Sequence, residues 1–362
     1  MSGTSAEAII DSLSNKLISD NAAIRANASE ALAKILENLS AEQKINILTP
    51  LSDKLIKWLK FETEYTPALR TILTQLSELA LSRIRNRQFA ESYHILEIFH
   101  LINSSQIERS EEIRSAVSDT LEEIASDEIL DILLEAMTSK KENEQHEAAR
   151  ITVMMAEFFL NSLLSILQKS QDSSERLLVL NLIAEIGPVA AQTIIERIDP
   201  GAPWFYLRNL VRILGRIGRE EHAKVLEPLL FYEDNRVQRE ALKGISNIGG
   251  VLRDEILLNA LSKCDDLFKA SVVATLGSLK YRGAIKPLME LFKSKLSVPV
   301  EVKIDLQEKI CLALGNIGDK EALPFLTEIS RQSSFLGFKS YSPAVKSAAV
   351  KALGRIMNKT EQ

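Results

Sequence analysis

The sequence predicts an all-α fold, a right-handed α–α superhelix of stacked helix pairs. Three observations carry that expectation. A short apolar pattern recurs at a fixed interval, the residues between recurrences fall into two helical stripes, and turn formers are scarce. The 362 residues include 52 leucines but only 14 glycines and 10 prolines. Glycine stands at roughly half its usual share of ~7%. That argues against a sandwich or barrel, which needs a turn every ~8–12 residues. The length suits either two ordinary domains or one elongated array.

The recurrence comes first, because missing a repeat misreads the whole fold. Six segments share a small, apolar ending: Leu182-Ile-Ala-Glu-Ile-Gly187, Ile213-Leu-Gly-Arg-Ile-Gly218, Gly244-Ile-Ser-Asn-Ile-Gly249, Thr275-Leu-Gly-Ser-Leu-Lys280, Ala313-Leu-Gly-Asn-Ile-Gly318 and Ala352-Leu-Gly-Arg-Ile-Met357. Their last residues are separated by 31, 31, 31, 38 and 39 positions. The two longer steps hold serine-bearing insertions, Lys293–Val302 and Ser330–Ser342, which read as loops.

Each unit has the anatomy of two helices. Leu207, Leu210, Val211, Leu214 and Ile217 follow the i, i+3, i+4, i+7 spacing of a buried helix face. A shorter stripe precedes the next ending, with Val225, Leu226, Leu229 and Leu230. Pro228, Pro287 and Pro324 recur within that shorter stripe and point to a repeated kink, because an interior proline breaks the helical hydrogen-bond ladder. Gly218, Gly249 and Gly318 suit left-handed caps at the end of the second helix. The unit is helix A, turn, helix B, turn.

These residues resemble a HEAT repeat. That family places Pro-Leu in helix A, Asp and Val-Arg at the turn, and Ala-Leu-Gly-x-Ile-Gly along helix B. Glu227-Pro-Leu-Leu-Phe-Tyr-Glu-Asp-Asn-Arg-Val-Gln-Arg-Glu-Ala-Leu-Lys-Gly-Ile-Ser-Asn-Ile-Gly249 follows that order. The ~31-residue period is similar to the short HEAT variety of phycobilisome lyase-like proteins. The match is strong over Ser174–Met357 and weaker upstream. There Arg25–Leu36 and Arg114–Ala125 fit a helix B, and Gln43–Gln106 is helical by stripe but lacks the glycine endings. The expected organisation is degenerate helical repeats over 1–135 and a HEAT/armadillo-like solenoid over 136–362, about nine or ten units in one array. A separate helical domain packed on a shorter solenoid is the alternative for the first part.

Enzyme motifs are missing from the sequence. His94, His100, His146 and His222 are scattered, and the nearest pair is six apart rather than the i, i+4 of a metal-binding helix. Cys264 and Cys311 fit no disulfide framework, zinc or redox spacing. Neither a Walker loop nor a dinucleotide or nucleophile-elbow motif occurs. The expectation is a chain that is not an enzyme, with no catalytic residue, metal or cofactor. Two enzymatic resemblances set the alternatives. Helical-repeat DNA alkylation-repair glycosylases use a basic groove, and phycobilisome lyase-type proteins handle a bilin; repeat similarity alone transfers neither function. The N-terminus lacks a secretory pattern, and no run of ~18 uninterrupted apolar residues is present. The expectation is a cytoplasmic protein without membrane insertion.

The formal charge of −5 hides an asymmetry. Residues 1–170 hold 17 basic against 26 acidic residues, and 171–362 hold 27 against 23. Glu108–Glu147 alone holds thirteen acidic and four basic residues, either a solubilising face or a site for a basic partner. On one helix B, Arg208, Arg212 and Arg216 lie four apart, away from the buried stripe. One 31-residue step carries these positions to Arg239, Lys243 and Asn247, and a further step either way removes the basic character. Five cations thus form one expected patch, edged by Arg219 and Arg236. Beside it, Ile198–Arg208 holds two prolines and the run Trp204-Phe205-Tyr206, where Trp204 either staples the turn or anchors an interface. In HEAT proteins helix B lines the concave, partner-binding surface. The resemblance therefore implies a non-enzymatic scaffold or adaptor that binds an acidic protein partner through Arg208, Arg212, Arg216, Arg239, Lys243 and Trp204. The competing reading pairs the arginines with neighbouring Glu240 and Glu185. Net negative charge argues against nucleic acid.

Overall fold

The computed structural model describes residues 3–331 and 340–360, and these hold α-helices and short 3-10 turns with no strand among them. Most of the Ser330–Ser342 insertion lies outside the described residues, whereas the other insertion is largely the loop 294–299. The chain forms two compact units, Met1–Ile186 and Gly187–Gln362. Each is a right-handed α–α superhelix of HEAT/armadillo-like helix pairs. The change of repeat character at residue 135 remains a reading of the sequence, distinct from this division into compact units.

The first unit holds five pairs: α1 (Gly3–Lys16) with α2 (Ala22–Glu37), α3 (Ala41–Leu59) with α4 (Pro67–Arg85), α5 (Phe89–Asn103) with α6 (Glu111–Ile124), α7 (Asp127–Met137) with α8 (Glu142–Met154), and α9 (Leu160–Lys169) with α10 (Ser173–Ile186). Asn21, Ser40, Thr66, Ser110 and Ser126 start five of these helices by accepting first-turn N–H groups that lack a helical partner. Leu32, Leu36, Leu55, Trp58, Ile72 and Leu76 are fully buried between them.

The second unit also holds five pairs. They are α11 (Ala191–Glu196) with α12 (Trp204–Ile217), α13 (Ala223–Leu226) with α14 (Asn235–Ile248), α15 (Gly250–Lys263) with α16 (Asp266–Ser278), α17 (Ile285–Lys293) with α18 (Val300–Ile317), and α19 (Leu323–Arg331) with α20 (Pro343–Thr360). Asp234 and Asp265 cap α14 and α16 at the turns where the repeat pattern places Asp. The recurring prolines lie near the points where helix A changes between 3-10 and α geometry. Pro287 and Pro324 sit in the first turns of α17 and α19, and Pro228 is the second residue of a 3-10 turn, Glu227–Phe231. In the first turns of α17 and α19 the N–H that proline lacks would have had no α-helical partner, and Pro228 falls where α13 passes into the 3-10 turn.

The glycines also differ from expectation. Gly318 alone of the three takes the left-handed cap conformation (φ 74, ψ 28); Gly249 has φ 77 with ψ −161, and Gly218 is extended at φ −68. The packing depends instead on the third position of the recurring ending. A Cβ on Gly215 would fall 2.5 Å from the Gly244 Cα, one on Gly277 2.7 Å from the Ala313 Cα, and one on Gly315 2.6 Å from the Ala352 Cα. Each partner is the first residue of the next ending, so third position meets first position down the stack of B helices. Between α14 and α16 those positions hold Ser246 and Thr275, and that pair of helices touches only lightly, whereas α12–α14, α16–α18 and α18–α20 pack closely.

Ser173–Glu196 is long and apolar enough to cross a membrane by length and composition, with mean hydropathy 1.7. It is nevertheless two helices, because Gly187 (φ 75) opens a 3-10 turn, Gly187–Ala190, between α10 and α11.

Candidate partner-binding site

The turn into α12 is braced by one bond within itself and tied to the next repeat by another. Asp199 Oδ1 accepts the Gly201 N–H at 2.9 Å, and the Tyr232 hydroxyl donates to the Pro200 carbonyl at 3.0 Å. Pro203 lies just before the helix. One face of the half-exposed Trp204 ring is covered by the Arg236 guanidinium, 3.3 Å from the ring centroid. Arg236 is fixed in turn by Asp234, Nε to Oδ1 at 3.0 Å and Nη2 to Oδ2 at 2.7 Å. These charge-assisted bonds, with the Arg236 and Val237 N–H groups, hold the Asp234 carboxyl down to about 2. Trp204 therefore staples the turn and keeps only part of its surface for a ligand.

The five predicted cations lie on α12 and α14, which pack side by side. Arg208 is at the seam between them: its Nε donates to Glu240 Oε2 at 3.3 Å, with the Glu240 side chain 11% exposed. One predicted cation is thus spent inside the fold. Arg216 is exposed and also engaged within the fold. Arg212 is half-buried and Arg239 and Lys243 are exposed; among the described residues these three form no ion pair. The free cationic face is therefore Arg212, Arg239 and Lys243, narrower than the sequence suggested.

The acidic segment 108–147 is partly consumed internally. Arg85 forms two bonds to Glu128 at 2.8 and 2.9 Å, and Arg87 pairs with Glu135 at 2.7 Å and Glu144 at 3.5 Å. No sequence spacing announces these pairs, because they join α7 and α8 to the end of α4.

A feature that sequence reasoning missed is an open groove of about 580 Å³ between α5 and α8. It brings together Tyr93, Glu97, His100, His146 and Arg150, with the Arg150 guanidinium 3.8 Å from the Tyr93 centroid and paired to Glu147 at 3.2 Å. Two histidines 46 positions apart in sequence thus share one groove. Among the described residues no three His, Cys, Asp or Glu side chains are grouped as metal ligands would be. Cys264 and Cys311 are buried, and burial pushes their thiols up to about 11 and about 12.

Comparison with known proteins leaves a likeness of fold. No protein-family model matches the chain, and no curated protein matches it. Among solved structures the chain is similar to human deoxyhypusine hydroxylase in complex with glycerol, at 15% identity and TM-score 0.32, covering 98% of each chain. It is similar to a structure concerning the phosphorylation switch between cadherin and β-catenin, at 14% identity and TM-score 0.32, covering 99% of this chain and 74% of the other. Kap121p bound to Nup53p matches at 10% identity and TM-score 0.39, covering 99% of this chain and 51% of the other. The shared fold is the HEAT-like helical repeat. One expectation is corrected by the same findings: deoxyhypusine hydroxylase is an enzyme, so the exclusion of enzymatic activity drawn from missing motifs does not stand.

Proposed function

We propose that this chain is a helical-repeat scaffold that binds an acidic protein segment across α12 and α14. The observation carrying the reading is the group Arg212, Arg239 and Lys243, three cations on adjacent helices without an internal ion pair, next to cations that do have one. An unpaired surface charge is available to a partner at little desolvation cost, and complementary charge mainly governs encounter rate and specificity. Trp204 and the seam residue Arg208 border the face. Lining of a concave groove by the B helices, and a cytoplasmic location, belong to the same proposal.

Affinity capture from the native host with the wild type and the double charge reversal Arg212→Glu, Lys243→Glu tests it. The expected result is one or more acidic proteins retained by the wild type and lost by the variant, with retention falling as salt rises. Identical captures from both would end this reading. The 31-residue step supports a second and finer one, kinship with phycobilisome lyase-like HEAT proteins, for which absorbance changes of an added bilin are the test.

A further inference from the structure

Three junctions in the second unit share one construction. The residue four before the third-position glycine, Val211, Val273 or Cys311, is fully buried there. The glycine itself lies against the small first-position residue of the next helix B. On α20 the same positions are Val350, 58% exposed, and Gly354, where an added Cβ would meet nothing within 4 Å among the described residues. Met357, at the edge of the same stripe, is 57% exposed. The α20 face is thus shaped like the internal junctions but has no described helix seated on it.

The internal junctions also specify what fits such a face. It is a helix with Gly or Ala at the crossing, as at Gly244, Ala313 and Ala352, flanked on α20 by Val345 and Ile356, both fully buried. One other helix of this chain repeats that surface. Aligning Ala31-Leu-Ala-Lys-Ile-Leu36 with Ala352-Leu-Gly-Arg-Ile-Met357 places Ile24, Ala31 and Ile35 where α20 has Val345, Ala352 and Ile356. On α2 these residues are uncovered: Ile24 is 41% exposed, and Ala31 and Ile35 are half-buried.

Charge favours the same match. α20 carries Lys346, Lys351 and Arg355 and no acidic residue, whereas α2 balances Arg25 and Lys34, the latter paired with Glu30, against Glu30 and Glu37, with Asp20 exposed beside it. The unit holding α20 has 26 basic against 20 acidic residues, and the unit holding α2 has 18 against 29.

We infer that a second copy of this chain docks here head to tail, α2 of one copy packing on α20 of another with Ala31 against Gly354. The contact uses different surfaces on the two copies, so it leaves a free α20 face and a free α2 face at the ends and extends beyond a dimer unless the rotation closes a ring.

Sedimentation velocity over the micromolar range tests the inference. The wild type should form concentration-dependent species larger than a dimer, weaker at high salt. Gly354→Trp fills a space that no described part of its own chain occupies, and Ala31→Trp blocks the opposite face; each alone should abolish assembly. Their equimolar mixture should give a heterodimer and nothing larger, because one variant retains only the α2 face and the other only the α20 face. Ile24→Glu, on the exposed α2 surface, stands in for Ala31→Trp if circular dichroism shows that the tryptophan disturbs folding. A wild type that stays monomeric at every concentration overturns the inference. So does assembly that is lost with Gly354→Trp but untouched by Ala31→Trp and Ile24→Glu, which would mean that α20 pairs with something other than α2. Neither outcome bears on the Arg212–Lys243 face, which is read by partner capture.

Discussion

The Arg236 guanidinium lies 3.3 Å from the centroid of the Trp204 ring while both ends of its fork are held by Asp234. A cation over an indole face is attracted by the ring quadrupole, and here it locks the turn before α12 to the start of α14. Arg236→Ala should uncover that face. The chain has two tryptophans, and Trp58 is fully buried, so it serves as an internal reference. Acrylamide quenching should rise for one tryptophan and stay constant for the other. Equal quenching before and after would show that the stack does not shield the ring.

Asp234 gives the same contact an acid limit. Its carboxyl is held at about 2, below the ordinary value near 3.8, first by its side-chain bond to Arg236 and then by the Arg236 backbone N–H. A depressed folded-state pKa contributes stability that is complete above the unfolded value and lost as pH falls through the folded one. Between pH ~4 and ~2 the Asp234→Asn variant should therefore lose less stability than the wild type. Parallel denaturant titrations at several acid pH values check this.

Arg87 combines two ion pairs with an unfavourable backbone, φ 58. Left-handed conformations cost a non-glycine residue about 1–2 kcal/mol, while exposed ion pairs are worth about 0–1 kcal/mol. Arg87→Ala and Arg87→Gly lose the same pairs, but glycine alone is relieved of the strain. Arg87→Gly should be the more stable of the two by about 1 kcal/mol in urea unfolding. Equal stabilities would mean that α4 and α5 are not held in this turn.

The helix pairs were legible in the sequence because burial imposes its own spacing, and the stripe Leu207, Leu210, Val211, Leu214 and Ile217 is buried as read. The five-cation patch was legible only as a helix face. Its reduction to Arg212, Arg239 and Lys243 depends on which cations find a partner across the packed helices, as Arg208 does in Glu240, and a repeat length does not show that. The α5–α8 groove was illegible for a related reason, since His100 and His146 come to line one groove through packing of helices that are not neighbours in sequence. Of the glycines read as left-handed caps only Gly318 is one, and a different set, Gly215, Gly277 and Gly315, meets the closer constraint of a neighbouring backbone.

Both cysteines should be silent to thiol reagents in the folded chain. Burial raises Cys264 to about 11 and Cys311 to about 12, and the thiolate is the reactive form. A thiol whose folded pKa exceeds its unfolded one contributes stability that declines as pH rises from the unfolded value, about 8.5, toward the folded value. At pH 8 a disulfide reagent should label neither native cysteine, and both should react in denaturant. Fast labelling of Cys311 in the native state would show that α18 and α20 open readily.

The glycine rule gives a paired prediction with opposite signs. Gly315 and Gly354 occupy the same position in successive endings, and both are helical. Replacing a mid-helix glycine by alanine ordinarily gains about 0.5–1 kcal/mol by reducing the freedom of the unfolded chain. At Gly354 an added Cβ meets nothing within 4 Å among the described residues, so Gly354→Ala should show that gain in full. At Gly315 the Cβ would come 2.6 Å from the Ala352 Cα and 2.7 Å from its Cβ. Neither is the end of a flexible side chain, so α18 and α20 must separate, and overpacking of this kind costs about 1–3 kcal/mol. Gly315→Ala should therefore lower stability in urea unfolding of dilute protein while Gly354→Ala raises it. Combining Gly315→Ala with Ala352→Gly removes one of the two opposing methyl groups and should recover part of the loss. A Gly315→Ala variant as stable as Gly354→Ala would mean that α20 does not sit this close to α18.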